Sequence, residues 1–179
     1  MNVFDAIKQR YSYRGPFAAD PIPRADLVKI VQAGLDAPSG CNAQSTSFVV
    51  VDALDLRDRI AELHVSNQAV QTARAFIFCV VNRDARPVYQ GSAFEIEDCA
   101  AAVENMLLAI TALGYASVWI DGWLRAEGRN AALSALLGLP ADKIVRVMLP
   151  VGKPVEPGPR KEKKPLAERV GFNGWLEAD

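Results

Sequence analysis

Few side chains in this sequence could do covalent, acid–base or redox chemistry. The chain has one histidine, His64, between Leu63 and Val65 late in a helix-like stretch. One imidazole excludes a multi-histidine metal centre and leaves any Ser/His or Cys/His pair dependent on it alone; its place reads as a surface or helix-end position. Cys41 lies in a polar loop, the best of three positions for a reactive thiol, whereas Cys79 and Cys99 fall on apolar faces and no CxxC occurs. Glu95, Glu97 and Asp98 open a helix, where the helix dipole accounts for acidic residues without any catalytic pair. No catalytic side chain and no metal site is assigned, so a borrowed cofactor has to carry the chemistry.

Two cationic clusters say what such a cofactor would present. In QRYSYR, Arg10, Ser12 and Arg14 alternate just past the first helix, so an extended backbone would turn all three to one side. Near the other end, PRKEKKP carries Arg160, Lys161, Lys163 and Lys164. Arginine binds phosphate bidentately, serine adds a hydrogen bond and lysine a point charge, so the two clusters could meet on one phosphate. A third segment, APSGCNAQ at 37–44, is far more polar and turn-rich than a connector needs. No GxGxxG or GxxxxGK[ST] accompanies any strand, so the usual phosphate loops are absent.

The elements that must position these groups follow from periodicity. Helices are expected at 2–10 (capped by Asn2, with Val3, Phe4 and Ile7 on one face), from Arg24 (Leu27, Ile30, Val31 and Leu35), at 55–63, 67–74 and 130–137. The strongest runs from Glu95 to Leu113, with Ile96, Cys99, Val103, Met106, Leu107, Ile110 and Leu113 inside and Gly114 as its stop. Strands are expected at 47–51, 75–82, 116–120 and 144–150. Alternating helices and strands suggest a parallel α/β sheet, although periodicity does not fix strand direction. Residues 1–152 read as one domain and 153–179 as an extended tail of the same domain. A net charge of −1 and half the residues apolar argue against nucleic-acid or membrane-surface binding. The apolar runs are too short to span a bilayer. Without a signal-like start, and with an odd number of cysteines, the expected address is the cytoplasm.

In order along the chain, FDAIKQRYSYRGPF, APSGCNAQ, Asn67 ahead of AFIFCV, the long helix ending in Leu113-Gly114, GYASVWIDGW, LPVGKP and KEKKPLAERV together resemble the nitroreductase family of FMN-dependent oxidoreductases. The resemblance covers nearly the whole chain. It departs where Ser45-Thr46 replaces the family's usual Pro-Trp after the glutamine, and in the brevity of the Arg83–Glu95 segment, whose Tyr89 and Phe94 are the only bulky candidates for a lid. It implies an α+β fold with a mixed, mostly antiparallel sheet, an intertwined homodimer and FMN at the subunit interface, with NADH or NADPH as co-substrate. It places Arg10, Ser12, Lys161 and Lys163 at the FMN phosphate, Arg14 at the N1–O2 edge, Asn67 at the pyrimidine or ribityl side, and the backbone of Asp121 and Gly122 near N5. Pro38, Ser39, Gly40 and Asn42 would come from the partner subunit, their small size letting backbone lie against a flat ring, and the long helix would double as a dimer core. The implied activity is ping-pong hydride transfer from NAD(P)H to small electron-poor acceptors such as nitroaromatics and quinones. The alternatives are reductive dehalogenation or flavin fragmentation on the same fold, or an FMN-binding sensor without turnover.

Overall fold

The computed structural model describes residues 1–64 and 66–176. Ten elements carry the fold: α1 (Val3–Gln9), α2 (Arg24–Leu35), β1 (Ser47–Val51), α3 (Leu54–Leu63), α4 (Gln68–Gln71), β2 (Ala75–Asn82), α5 (Glu95–Ala112), β3 (Ala116–Ser117), α6 (Arg129–Leu136) and β4 (Lys143–Gly152). The sheet runs β1-β2-β4-β3, and every strand pair in it is antiparallel. A single parallel bridge, Ser12 to Ser117, ties the cationic N-terminal segment to the sheet. The chain is therefore α+β, and the parallel sheet suggested by helix–strand alternation is not what forms.

β2 shows why alternation misled. Phe76 and Phe78 point into one core with Val70, Val118, Leu133 and Met148, while Ala75, Ile77, Cys79 and Val81 point into another with Leu27, Ile30, Val103, Met106 and Ile110. Both faces of the strand are covered by helices, so it is apolar throughout, a pattern more usual in parallel sheets. A register shift between Cys79 and Val80 re-phases β2 against β4 without breaking the pairing.

Local signals account for the helix ends. The Asn2 side chain accepts the Asp5 N–H at 3.0 Å, and Gly114 stops α5 at φ 83°. Asn67 is not inside a helix; its Oδ1 caps α4 by accepting the N–H groups of Ala69 (3.0 Å) and Val70 (3.3 Å). The expected strand at 116–120 shrinks to two paired residues, with Ile120 bridged separately to Met148.

α5 buries most of its expected inward face within the chain. Cys99, Val103, Met106, Leu107 and Ile110 are buried against the sheet and α2 within the chain, whereas Ile96 is 60% exposed and Leu113 only half-buried. The uncovered apolar surface is elsewhere: on α1, whose Phe4 is 79% exposed with Val3 and Ile7 also bare, at Val28 and Leu35 of α2, and on the tail at Phe172 and Trp175. Among the described residues, no helix is long and apolar enough to cross a membrane.

Candidate functional site

The two cationic clusters converge. A cleft of about 600 Å³ is lined on one side by Arg10 to Pro16 and on the other by Glu156 to Lys161 with Lys163. The sheet is what brings them together: Ser12 bridges Ser117, the Tyr13 N–H donates to the Ser117 carbonyl at 2.9 Å, and β3 pairs with the end of β4, from which the tail departs. Tyr11 then fixes the tail directly, its hydroxyl accepting the Gly158 N–H at 3.1 Å. Arg10, Arg14, Arg160, Lys161 and Lys163 face this cleft against one acid, Glu156, a strong excess of cationic donors. Arg10 is the most sheltered of the cleft's arginines, braced by Glu104 of α5 at 3.4 Å; Arg14 is exposed and donates to the Ser12 carbonyl at 3.3 Å.

The remaining expected residues lie outside that cleft. Asp121 and Gly122 form the turn after Ile120. Here the Asp121 carboxylate is gripped by Arg125 (2.7 and 2.5 Å) and Arg146 (3.3 Å), and open space surrounds Gly122. Asn67 spends its carbonyl oxygen on the α4 cap.

Pro38, Ser39, Gly40 and Asn42 lie on a separate loop that makes a short turn over Gly40–Asn42, with Cys41, Asn42 and Gln44 all at positive φ (50°, 55° and 48°). A left-handed non-glycine backbone costs roughly 1–2 kcal/mol per residue, less for asparagine, so this loop holds strain that its surroundings must offset. The offset comes from Asp98, which the sequence reading left to the helix dipole. Buried in the first turn of α5, it accepts the Gly40 N–H on Oδ1 at 2.8 Å and the Ser45 hydroxyl on Oδ2 at 2.6 Å. The serine standing where the family has proline is therefore a tether.

Within the chain Gly40 already has a reason to be small: a Cβ there would sit 2.5 Å from Phe94 Cδ2. Phe94, half-buried, packs on this loop. Tyr89 is 56% exposed on a tight turn whose Gln90 and Gly91 are at φ 46° and 83°. Burial pushes the Glu95 carboxyl up, but the Arg86 N–H at 2.6 Å, the Asn82 amide and the Arg86 charge outweigh it, leaving it below the usual value and anchoring that turn to α5.

A helix-covered antiparallel sheet thus carries a cationic cleft in one place and a strained loop in another, and comparison gives this fold its family. The Nitroreductase family profile matches residues 7–82 and 64–153, and the chain belongs to this family. An Archaeoglobus fulgidus protein, named provisionally as an NADH dehydrogenase/NAD(P)H nitroreductase, is 33% identical over 84% of this chain and 86% of its own. A nitroreductase of Desulfovibrio desulfuricans, also provisionally named and solved in complex with FMN, superposes with a TM-score of 0.81 at 29% identity over 98% of each chain. The NADPH:FMN oxidoreductase of Vibrio harveyi, solved with NAD+, gives a TM-score of 0.82 at 26% identity over 100% of this chain and 80% of its own.

Proposed function

We propose that this chain is an NAD(P)H-dependent FMN oxidoreductase that reduces small electron-poor acceptors, nitroaromatics and quinones among them, as a homodimer. The observation that carries the reading is the meeting, in one cleft, of cationic residues from opposite ends of the chain. That donor set fits a dianionic phosphate monoester: guanidinium forks and ammonium charges around a serine hydroxyl, with tyrosine and proline walls beside them. Arg10, Ser12, Lys161 and Lys163 would hold the FMN phosphate and Arg14 the flavin's N1–O2 edge. Asn67 would face the ribityl or pyrimidine side, and Asp121 and Gly122 would present backbone groups near N5. When bound, FMN supplies two-electron transfer, which this chain's own side chains lack. The nicotinamide and the acceptor would use one open cleft in turn, so no dinucleotide fold is required.

Pro38, Ser39, Gly40 and Asn42 serve the partner's flavin in this reading. Support comes from their loop lining a different pocket from the cationic cleft, with no residue in common, and from the strain held in that loop. The bare α1 face, the unpaired outer edge of β1 and the exposed tail aromatics are the surfaces a second copy would cover. The short turn at Tyr89 favours an open cleft over the closed one that dehalogenation or flavin fragmentation would demand. Three free cysteines fit a reducing compartment such as the cytoplasm.

FMN titration followed by steady-state NADH and NADPH oxidation with menadione tests the activity. A protein that takes up no FMN overturns the reading, and one that binds FMN without turnover is the sensor instead. Sedimentation at micromolar concentration should show one species of about twice the 19.4 kDa chain mass. A monomer that keeps its FMN would refute the shared site.

A further inference from the structure

The Asp121–Trp123 turn is held at both ends and bare in the middle. Arg125 and Arg146 fix Asp121, while Trp123 is fixed by the chain's one histidine: the His64 imidazole lies parallel to the indole, centroids 4.2 Å apart and planes 3° from parallel. Arg129 lies over the same indole, 4.9 Å from its centroid, and donates to the Trp123 carbonyl at 3.2 Å. Gly122, between the two anchored residues, has nothing within 4 Å of where a Cβ would stand.

His64 also belongs to the corner that begins α4. Its carbonyl accepts the Asn67 N–H at 3.4 Å and Gln71 Nε2 at 3.2 Å. We propose that His64 is a positioning residue: its ring, stacked on Trp123, locks the Asp121–Gly122 turn to the Asn67 corner as one rigid wall. This rests on the reading that Gly122 and Asn67 face the cofactor, and it gives the lone histidine a role that its place just past the end of α3 did not suggest.

The stack works with a neutral ring. Burial, then the charge of Arg129, push the His64 pKa below its ordinary 6.5; among the described residues Arg129 is the charge the ring feels, with Ser66 Oγ 3.5 Å from Nδ1 and Glu127 paired to Arg129. Because the folded pKa is depressed, the neutral stack is fully present above the unfolded value. Its contribution is lost as pH falls from there through the lowered one.

The experiment uses the full chain with His64→Phe, which keeps a flat ring without titrating, and His64→Ala. At pH 8 the Phe variant should bind FMN like the native protein, and the Ala variant about three- to tenfold more weakly, the range an aromatic pair contributes. Lowering the pH from 8 until the imidazole protonates, followed by the ring's own NMR resonances, should weaken the native protein against the Phe variant by a similar factor. The second ionisation of the FMN phosphate, near pH ~6, affects both alike and cancels in the ratio.

A native-to-Phe ratio that is flat with pH, or full affinity in the Ala variant, overturns the proposal. Amide exchange at residues 121–124 of the cofactor-free chain provides a second readout. The Ala variant must speed exchange there, and unchanged exchange overturns the proposal even in a protein that takes up no FMN. Loss of FMN binding in all three proteins at pH 8 would instead count against the cofactor assignment.

Discussion

Arg10→Ala should weaken FMN binding roughly ten- to hundredfold, the loss of charge-assisted hydrogen bonds worth on the order of 1.5–3 kcal/mol. Of the residues lining the cleft, Arg10 combines a sheltered side chain, 22% exposed, with a brace from Glu104 that aims the guanidinium before any ligand arrives. Lys163 sits on the exposed tail and presents a mobile point charge, so Lys163→Ala should cost less. Losing the Glu104 pair is a minor matter for the fold, since an ion pair with one half-exposed partner contributes about 0–1 kcal/mol. The melting temperature of Arg10→Ala should therefore stay near the native value while its FMN dissociation constant rises. Unchanged affinity would remove the N-terminal cluster from the site.

The cationic cleft was legible in the sequence because alternation in QRYSYR and the density of PRKEKKP are local patterns, each readable without knowing the fold. Their convergence was only suggested, because it depends on β3 pairing with β4 and on one parallel bridge at Ser12. Sheet direction was hidden for a related reason: an antiparallel strand covered on both faces is as uniformly apolar as a parallel one. The least legible feature was Asp98. An acid in the first turn of a helix has a sufficient local explanation in the dipole, and nothing local reveals that its two oxygens reach a loop more than fifty residues earlier. Ser45 could have given the signal: a hydroxyl where the family carries proline must find a partner if it is sheltered. The Phe94 atoms that come close to Gly40 within the chain have no local signal in the sequence either, since the two stand more than fifty residues apart.

Asp98→Ala is expected to release the 38–45 loop and with it FMN affinity. The substitution leaves a Gly40 N–H and a Ser45 hydroxyl without their acceptor, a loss on the order of 2–4 kcal/mol. The loop then keeps three left-handed residues with only its internal bonds, Asn42 N–H to the Ser39 carbonyl and Ala43 N–H to the Gly40 carbonyl at 2.9 Å and Gln44 N–H to Ser39 Oγ at 3.0 Å. Asp98→Asn keeps one acceptor oxygen and should fall between, and Ser45→Ala, which loses one bond, should be mildest. Faster amide exchange confined to residues 38–46 would show the mechanism; unchanged exchange would mean the loop holds its strain alone. Pairing this variant with Arg10→Ala then separates a shared site from a private one. If each flavin takes its phosphate grip from one subunit and its wall from the other, a heterodimer of the two variants has one site carrying both lesions and one carrying neither. Two homodimers that each bind FMN poorly should therefore, on equal mixing and free subunit exchange, regain tight binding in one site of each heterodimer, about a quarter of all sites. Were both residues to serve their own subunit's flavin, each site in the mixture would keep one lesion and no tight binding would return.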